Sequence, residues 1–299
     1  MSRRALLIGN PAASRTSGDA VAEVAAVLRS GGWTIEVAAT VGPGDARRLA
    51  EEAVRDGCDT VVVFGGDGTT MQAASALVGG EVLLGVIPGG TGNLLAGNLR
   101  LPASPVRAAR ALLTARPRAI DLGRMERDDG VHYFAVAAGC GYDALVMGGT
   151  SADDKRRWGF LAYVVTTFRM VPYLHSSRHL ITVDGVEHEA AATMIVVANC
   201  REVIPPYVRF RTGIEPDDGL LDLVVIRADG FLQAVQSIWH LLTERNSSGS
   251  LVSHLRGREI RVESERPEGV QLDGELVGST PFTATIVPHA IRVLAPVRP

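Results

Sequence analysis

The sequence predicts two differently built halves: an α/β N-terminal domain around a parallel sheet, then a mainly antiparallel, sandwich-like β domain, with a cleft between them. Three observations carry this. Over the first ~120 residues, short apolar runs without polar alternation are separated by helical stretches, the pattern of a parallel sheet covered on both faces. From about Gly130 strand-like runs dominate, and Asp-Gly turn signals stand beside them at 184–185, 218–219 and 273–274. The 299 residues, 46% hydrophobic and 21% charged, also supply ample apolar material for buried cores.

In order along the first half, Ala5–Ile8 reads as a strand, Asp19–Arg29 as a helix, Trp33–Ala39 as a strand and Asp45–Arg55 as a helix. Thr60–Phe64 is a strongly β-branched strand and Val82–Ile87 another, each followed by a helical segment. This domain is placed at residues 1–124 and the β-rich one at 125–289. In the second half His132–Ala138, Leu180–Val183, Thr193–Ala198, Leu220–Ile226, Glu259–Val262 and Thr283–Val287 read as strands. Trp158–Val171 and Phe231–Thr243 are its two helices.

Composition excludes several classes of function. With 30 basic and 33 acidic residues the net charge is −3, so no global basic field draws the chain to nucleic acid. Lys155 is the sole lysine. Cys58, Cys140 and Cys200 are far apart and odd in number, which disfavours a disulfide framework and suits a reducing cytosol. The apolar run at the start stops at Asn10-Pro11, too soon for a secretion signal. The best spanning candidate, Phe160–Leu174, is interrupted by Arg169 and Pro172. The expectation is a cytoplasmic protein, at most peripheral to a membrane.

Three loops follow three of the expected parallel strands: Asn10-Pro11-Ala12-Ala13-Ser14, Gly65-Gly66-Asp67-Gly68-Thr69 and Pro88-Gly89-Gly90-Thr91-Gly92-Asn93. Right-handed crossovers put such loops on one edge of the sheet, at its carboxyl ends. Glycine lets backbone N–H groups approach an anion, and each loop feeds a helix N-terminus. Ser14, Thr69 and Thr91 add hydroxyl donors, while Asp67 would repel a phosphate but can hold a divalent ion that accompanies one. A lone Asp-Gly is as often a plain turn; three loops on one edge point to phosphate.

These loops resemble the catalytic domain shared by diacylglycerol kinases, bacterial lipid kinases and sphingosine kinases. The resemblance continues in order through Gly139–Ala144, Trp158–Tyr163 and Asp217–Asp222 to Asp273-Gly274-Glu275, over nearly the whole chain. It implies an ATP-dependent kinase acting on the hydroxyl of diacylglycerol or a related lipid alcohol, with ATP and Mg²⁺ as cofactors and the nucleotide in the cleft. Gly65, Gly66, Asp67, Gly68 and Thr69 would meet nucleotide and phosphates, with Asn10, Ser14, Thr40, Gly90, Thr91 and Asn93 as further contacts. Glu275 matches the family's proton acceptor, with Asp67 beside it in the catalytic set. A Mg²⁺ site would use the Asp218 carboxylate and the backbone carbonyls of Glu215 and Leu220. The last segment, 290–299, would return to the first domain.

Glu275 also has a physical case. Phosphoryl transfer to an alcohol needs an in-line hydroxyl and a carboxylate to take its proton, and a glutamate beside an Asp-Gly turn projects from a rigid β scaffold. Alone, the same pattern describes an exposed hairpin. Two positions depart from the family. Leu94 stands where many members have aspartate, and Met71-Gln72 where they have asparagine–glutamate. A leucine holds no Mg²⁺, which leaves Asp67 and Asp121 for the catalytic metal, although Asp121-Leu-Gly after a strand also reads as a routine turn.

Weaker signals lie elsewhere. Gly139-Cys-Gly141-Tyr-Asp-Ala144 fits a loose dinucleotide pattern, but without a βαβ frame it reads better as close backbone packing. His175 and His179 have zinc-pair spacing without a third ligand. The aromatics and arginines between Arg156 and Arg178 would suit an interfacial membrane segment, or an ordinary helix with a core-facing stripe. A strand edge would admit a homodimer. The rival functions are a sphingoid-base or NAD kinase of the same superfamily, a non-catalytic nucleotide or lipid sensor, and a dinucleotide-dependent reductase.

Overall fold

Buried runs of Ala, Val, Leu and Ile alternate with short amphipathic helices in the first third of the chain. The order is β1 (Arg4–Gly9), α1 (Gly18–Ser30), β2 (Thr34–Ala39), α2 (Asp45–Arg55), β3 (Thr60–Gly65), α3 (Asp67–Ala76), β4 (Leu83–Pro88), α4 (Leu94–Asn98) and α5 (Pro105–Thr114). Strands follow: β5 (Arg116–Arg127), β6 (Gly130–Phe134), β7 (Ala137–Gly141), β8 (Ser177–Val183), β9 (Val186–Ala192), β10 (Met194–Ala198), β11 (Glu202–Ile204) and β12 (Val208–Arg209). The last are β13 (Leu221–Ile226), β14 (Val252–Gly257), β15 (Glu259–Ser264), β16 (Gly269–Leu272), β17 (Glu275–Ser279) and β18 (Phe282–Ala295). The computed structural model describes residues 3–127, 130–142, 144, 149, 166, 175–204, 208–209, 213–228, 233 and 252–297. Contacts divide the chain into two units, residues 1–120 with 289–299, and residues 121–288.

In the first unit the strand order is β2-β1-β3-β4, all parallel, and the final stretch of β18 joins β4 in parallel at Arg292↔Leu83 and Val293↔Leu84. β3 and β4 are buried at every position, as central strands of a sheet covered on both faces must be. β2 is the edge and is exposed at four of its six positions, with Val37 48% exposed. Because β1, β3 and β4 are sheet neighbours, the loops leaving their carboxyl ends are neighbours too. Ser17 caps α1 through its side-chain oxygen, which accepts from Ala20 N at 3.2 Å.

The second unit is a β-sandwich. One sheet runs β14-β13-β10-β7-β16-β17, antiparallel throughout; the other pairs the first part of β18 with β15, β8 and β9 in turn. Their inner faces share one core: Ile195, Val197, Leu223 and Val270 from the first meet Ile181, Ile260, Val262 and Phe282 from the second. In the β5–β6 pair, Gly123 faces Phe134 and a Cβ there would come within 2.0 Å of the ring, so the aromatic lies over bare backbone.

Several expectations need correcting. The run 132–138 is not one strand: it breaks at Ala135-Val136 into β6 and β7, because the N–H groups there turn to the Asp273 carboxylate rather than to a sheet partner. Asp121 lies inside β5, so Asp121-Leu122-Gly123 is strand, not turn. Residues 137–141 are strand as well, with Gly141 at φ +84 and its Cβ position 2.6 Å from Thr193 O, the close packing that excludes a side chain. The expected run 283–287 is the start of a strand that continues to Ala295. His179 is in β8, buried, with Nδ1 3.0 Å from Ser264 Oγ, so no helical histidine pair forms. The expected helices at 158–171 and 231–243 fall almost entirely outside the described residues. So does the aromatic–arginine segment, apart from Arg178.

Candidate functional site

Backbone hydrogen bonds bind the three loops of the first unit to one another. Gly89 N donates to Gly65 O at 2.8 Å, Arg15 N to Gly89 O at 3.1 Å, and Asn10 N to Phe64 O at 3.0 Å. Glycine is required by this approach: a Cβ on Gly90 would stand 2.6 Å from Gly66 Cα, and one on Gly89 3.1 Å from Gly65 N. Side chains add the remaining ties. Asn10 Nδ2 donates to Thr69 Oγ1 at 2.7 Å, and Ser14 Oγ to Gly89 O at 3.3 Å. Asn93, at φ 49, closes its own loop by accepting from Gly90 N at 2.9 Å and donating to Gly90 O at 2.7 Å.

Asp67 opens α3, yet its carboxylate serves the next loop: Oδ1 accepts from Leu94 N at 2.6 Å, and Oδ2 lies where a Cβ on Gly92 would be 2.7 Å away. Any residue but proline offers that N–H, so a leucine at 94 keeps this tie. The N-cap of α3, Gly66, has no side-chain cap, so the first N–H groups of the helix, those of Gly68 and Thr69 included, face the loop edge without a capping oxygen. Thr40 follows β2 and donates from its N–H to Gly9 O at 2.9 Å, beside the first loop. Thr91 is half-buried in the third. Sequence reasoning passed over Thr16. Its hydroxyl is buried, with no partner among the described residues, and a Cβ on Gly89 would lie 2.9 Å from it. An orphan hydroxyl at this edge suits an anion.

In the second unit, Asp273 and Gly274, at φ 46 and 89, form the two-residue turn between β16 and β17, with Leu272 opposite Glu275. Glu275 is exposed on its flank, while Asp273 is folded inward and buried. The Asp273 carboxylate accepts from three consecutive N–H groups, Ala135 at 2.7 Å and Val136 and Ala137 at 2.9 Å. Burial pushes its carboxyl up to about 6, the three N–H groups hold it down in part, and the Glu275 charge adds to the rise. Gln271 Oε1 accepts from Gly274 N at 2.7 Å and completes the turn. Nothing in the sequence marked Asp273 as more than a turn former.

The acidic turn before β13 is anchored to β5. Gly219, at φ 73, donates its N–H to Asp121 Oδ2 at 2.7 Å, and Asp121 N donates to Pro216 O at 2.6 Å. Asn199 Nδ2 bridges Asp121 O at 2.9 Å and Ala135 O at 2.8 Å, linking this turn to the Asp273 region. Asp218 Oδ1 accepts from Leu220 N at 3.1 Å and its other oxygen is ion-paired with Arg256. Burial raises the Asp218 carboxyl above its ordinary range, with Arg256 offsetting part of that. Asp222, 1% exposed, has Arg256 Nε at 3.0 Å and His254 Nε2 at 2.7 Å from Oδ1; both are charge contacts outside good hydrogen-bond geometry. Carboxylates with backbone carbonyls are the donors Mg²⁺ takes. Here, however, the carboxylates are already engaged by Arg256, His254 and backbone N–H groups. Among the described residues no three His, Cys, Asp or Glu side chains gather in a metal-holding group. The turn as it stands does not fit a divalent ion.

The nucleotide and phosphate candidates, Asn10 through Asn93, thus meet on one sheet edge of the first unit. Glu275, Asp121, Glu215, Asp218 and Leu220 all belong to the second, Glu275 on one hairpin and the other four around the acidic turn.

The first unit thus carries a parallel sheet with three glycine-tied loops on its carboxyl edge, and the second a β-sandwich with an exposed carboxylate hairpin. Residues 4–125 match the family described as diacylglycerol kinase catalytic domain, and residues 136–295 that described as YegS C-terminal NAD kinase beta sandwich-like domain. A Pseudomonas aeruginosa protein named "Probable lipid kinase YegS-like" is 32% identical over 91% of this chain and 88% of its own. A Mycobacterium tuberculosis protein named "Diacylglycerol kinase" is 30% identical over 84% of this chain and 82% of its own. The fold is shared with a Bacillus anthracis crystal structure described as a diacylglycerol kinase, at TM-score 0.75, 21% identity and coverage of 98% and 97%. The chain belongs to this family of kinases, which pairs the diacylglycerol kinase catalytic domain with the YegS-type C-terminal domain. Among the described residues no helix is long and apolar enough to cross a membrane.

Proposed function

We propose that this chain transfers the γ-phosphoryl group of ATP to the hydroxyl of diacylglycerol or a related lipid alcohol. The observation that carries the reading is the convergence of three loops on one edge, held by the Gly89–Gly65, Asn10–Thr69 and Leu94–Asp67 hydrogen bonds, in a chain of this kinase family. Backbone N–H groups from the start of α3 and the hydroxyls of Thr16 and Thr91 bind the phosphates. Asp67 is the carboxylate of that edge that would face a Mg²⁺ ion accompanying the nucleotide, and such an ion would neutralise phosphate charge. Glu275, exposed at the end of its hairpin, accepts the proton of the attacking hydroxyl. The lipid is reached by peripheral contact with a bilayer.

The test is transfer of labelled γ-phosphate from ATP to a panel of lipid alcohols in mixed micelles, with NAD as a competing acceptor. A labelled, solvent-extractable product from diacylglycerol is the expected result. Label in NAD alone would move the acceptor to the dinucleotide. ATP binding without transfer to any acceptor would make the chain a sensor.

A further inference from the structure

We propose that Arg256 takes the place of a divalent cation in the acidic turn of the second unit, so that this turn keeps its shape without bound metal. The family resemblance puts a Mg²⁺ ion on Asp218 and on the backbone carbonyls of Glu215 and Leu220. In this chain a guanidinium gathers oxygens of the same kind. Arg256 is ion-paired with Asp218 Oδ2, stands 3.0 Å from Asp222 Oδ1 through Nε, and donates to Gly213 O at 3.3 Å. Two carboxylates and a backbone carbonyl are the hard oxygen set a divalent ion would collect, and one guanidinium lies against all three, ion-paired with both carboxylates and donating to the carbonyl.

The strand register explains how Arg256 comes to be there. Asp222 is paired directly with Arg256 across β13 and β14, and Val224 with His254. Arg256 and His254 are two apart on β14 and share a face, so both reach Asp222. Asp222 is 1% exposed, and a buried carboxylate of this kind needs a compensating positive charge. The guanidinium of Arg256 supplies it. The remaining backbone of the turn is held without metal too, since Gly219 N and Pro216 O both bond to Asp121.

This inference concerns the folding of the turn and goes beyond the proposed reaction, so its test uses no activity. Thermal unfolding of the wild type, Asp218→Asn, Arg256→Gln and the double variant is followed without nucleotide, in EDTA and in 10 mM Mg²⁺ at matched ionic strength. The quantity read is the Mg²⁺-induced shift of Tm that depends on Asp218. For the wild type minus Asp218→Asn that difference is expected to be zero. Arg256→Gln leaves Asp218 and Asp222 without the guanidinium and is expected to gain a Mg²⁺-induced rise of about 3 °C or more, lost in the double variant. An Asp218-dependent Mg²⁺ shift in the wild type overturns the proposal. So does an Arg256→Gln protein that folds but shows no such rise. If Arg256→Gln fails to fold, the wild-type comparison alone decides.

Discussion

Asp273 and Glu275 are two positions apart and have opposite environments. Glu275 is exposed, so Glu275→Gln removes a proton acceptor without opening a cavity or orphaning a buried group. Turnover in the lipid assay is expected to fall about 10²–10⁴-fold, with circular dichroism and Tm unchanged. Asp273 is buried and its carboxyl sits at about 6 against an ordinary 3.8, so the folded state binds its proton more tightly than the unfolded chain does. The stability this contributes is fully present below the unfolded value and is lost as pH rises through about 6. Relative to Asp273→Asn, the wild type should therefore gain about 3 kcal/mol between pH 7 and pH 3.5. Urea unfolding of both proteins across that range checks the sign; a flat difference would mean that Asp273 titrates normally.

At the scale of elements, the decisive features are turns in which one side chain or one missing side chain fixes two segments. The Gly66–Gly90 approach is the clearest. The Cβ of a Gly90→Ala substitution would lie 2.6 Å from Gly66 Cα, and backbone on both sides leaves nothing flexible to yield. The two loops must move apart, at a cost of about 1–3 kcal/mol. If this edge binds the nucleotide, ATP affinity should drop about tenfold or more in a fluorescence titration, while Gly42→Ala, where a Cβ would meet nothing within 4 Å, should leave it unchanged. Elements also show where sequence reading fails. The 132–138 run reads locally as one largely apolar strand, but three of its N–H groups are taken by a carboxylate 136 or more residues away. Local propensity carries no trace of such a bond. β14 and β17 were missed for a related reason: Val252–Gly257 is polar along much of its length and Glu275–Ser279 has two glycine-flanked exposed ends, so neither shows a clear period.

For the molecule as a whole, the first unit is completed by residues from the far end of the chain. Ile291, Val293 and Leu294 are fully buried there, with Ala290 and Ala295 beside them, and Gly79 N donates to Ala290 O at 2.8 Å. Deleting residues 289–299 would expose β4 as an edge and remove three large buried side chains, a loss of about 5–9 kcal/mol against a typical total of 5–15. The truncated protein is expected to be insoluble, or to lose the unfolding transition of the first unit by differential scanning calorimetry. Two unaltered transitions would contradict this.

The sequence by itself determined the fold class, an α/β layer followed by a β-sandwich, because burial on both sheet faces and the turn chemistry between strands are written locally as unbroken apolar runs and Asp-Gly or Gly-Gly pairs. It also picked out Asn10, Gly65–Thr69 and Gly90–Asn93, since glycine spacing after a strand is a local property. Tertiary structure alone decided which groups of distant elements share a carboxylate. The Asp273 contact with 135–137, the Asp121 contact with Gly219 and the Arg256 contacts with Asp218 and Asp222 join residues 34 to 138 positions apart. Such contacts arise from strand order and register, where a one-residue shift would turn Arg256 to the opposite face of the sheet, and no short window of sequence carries that information.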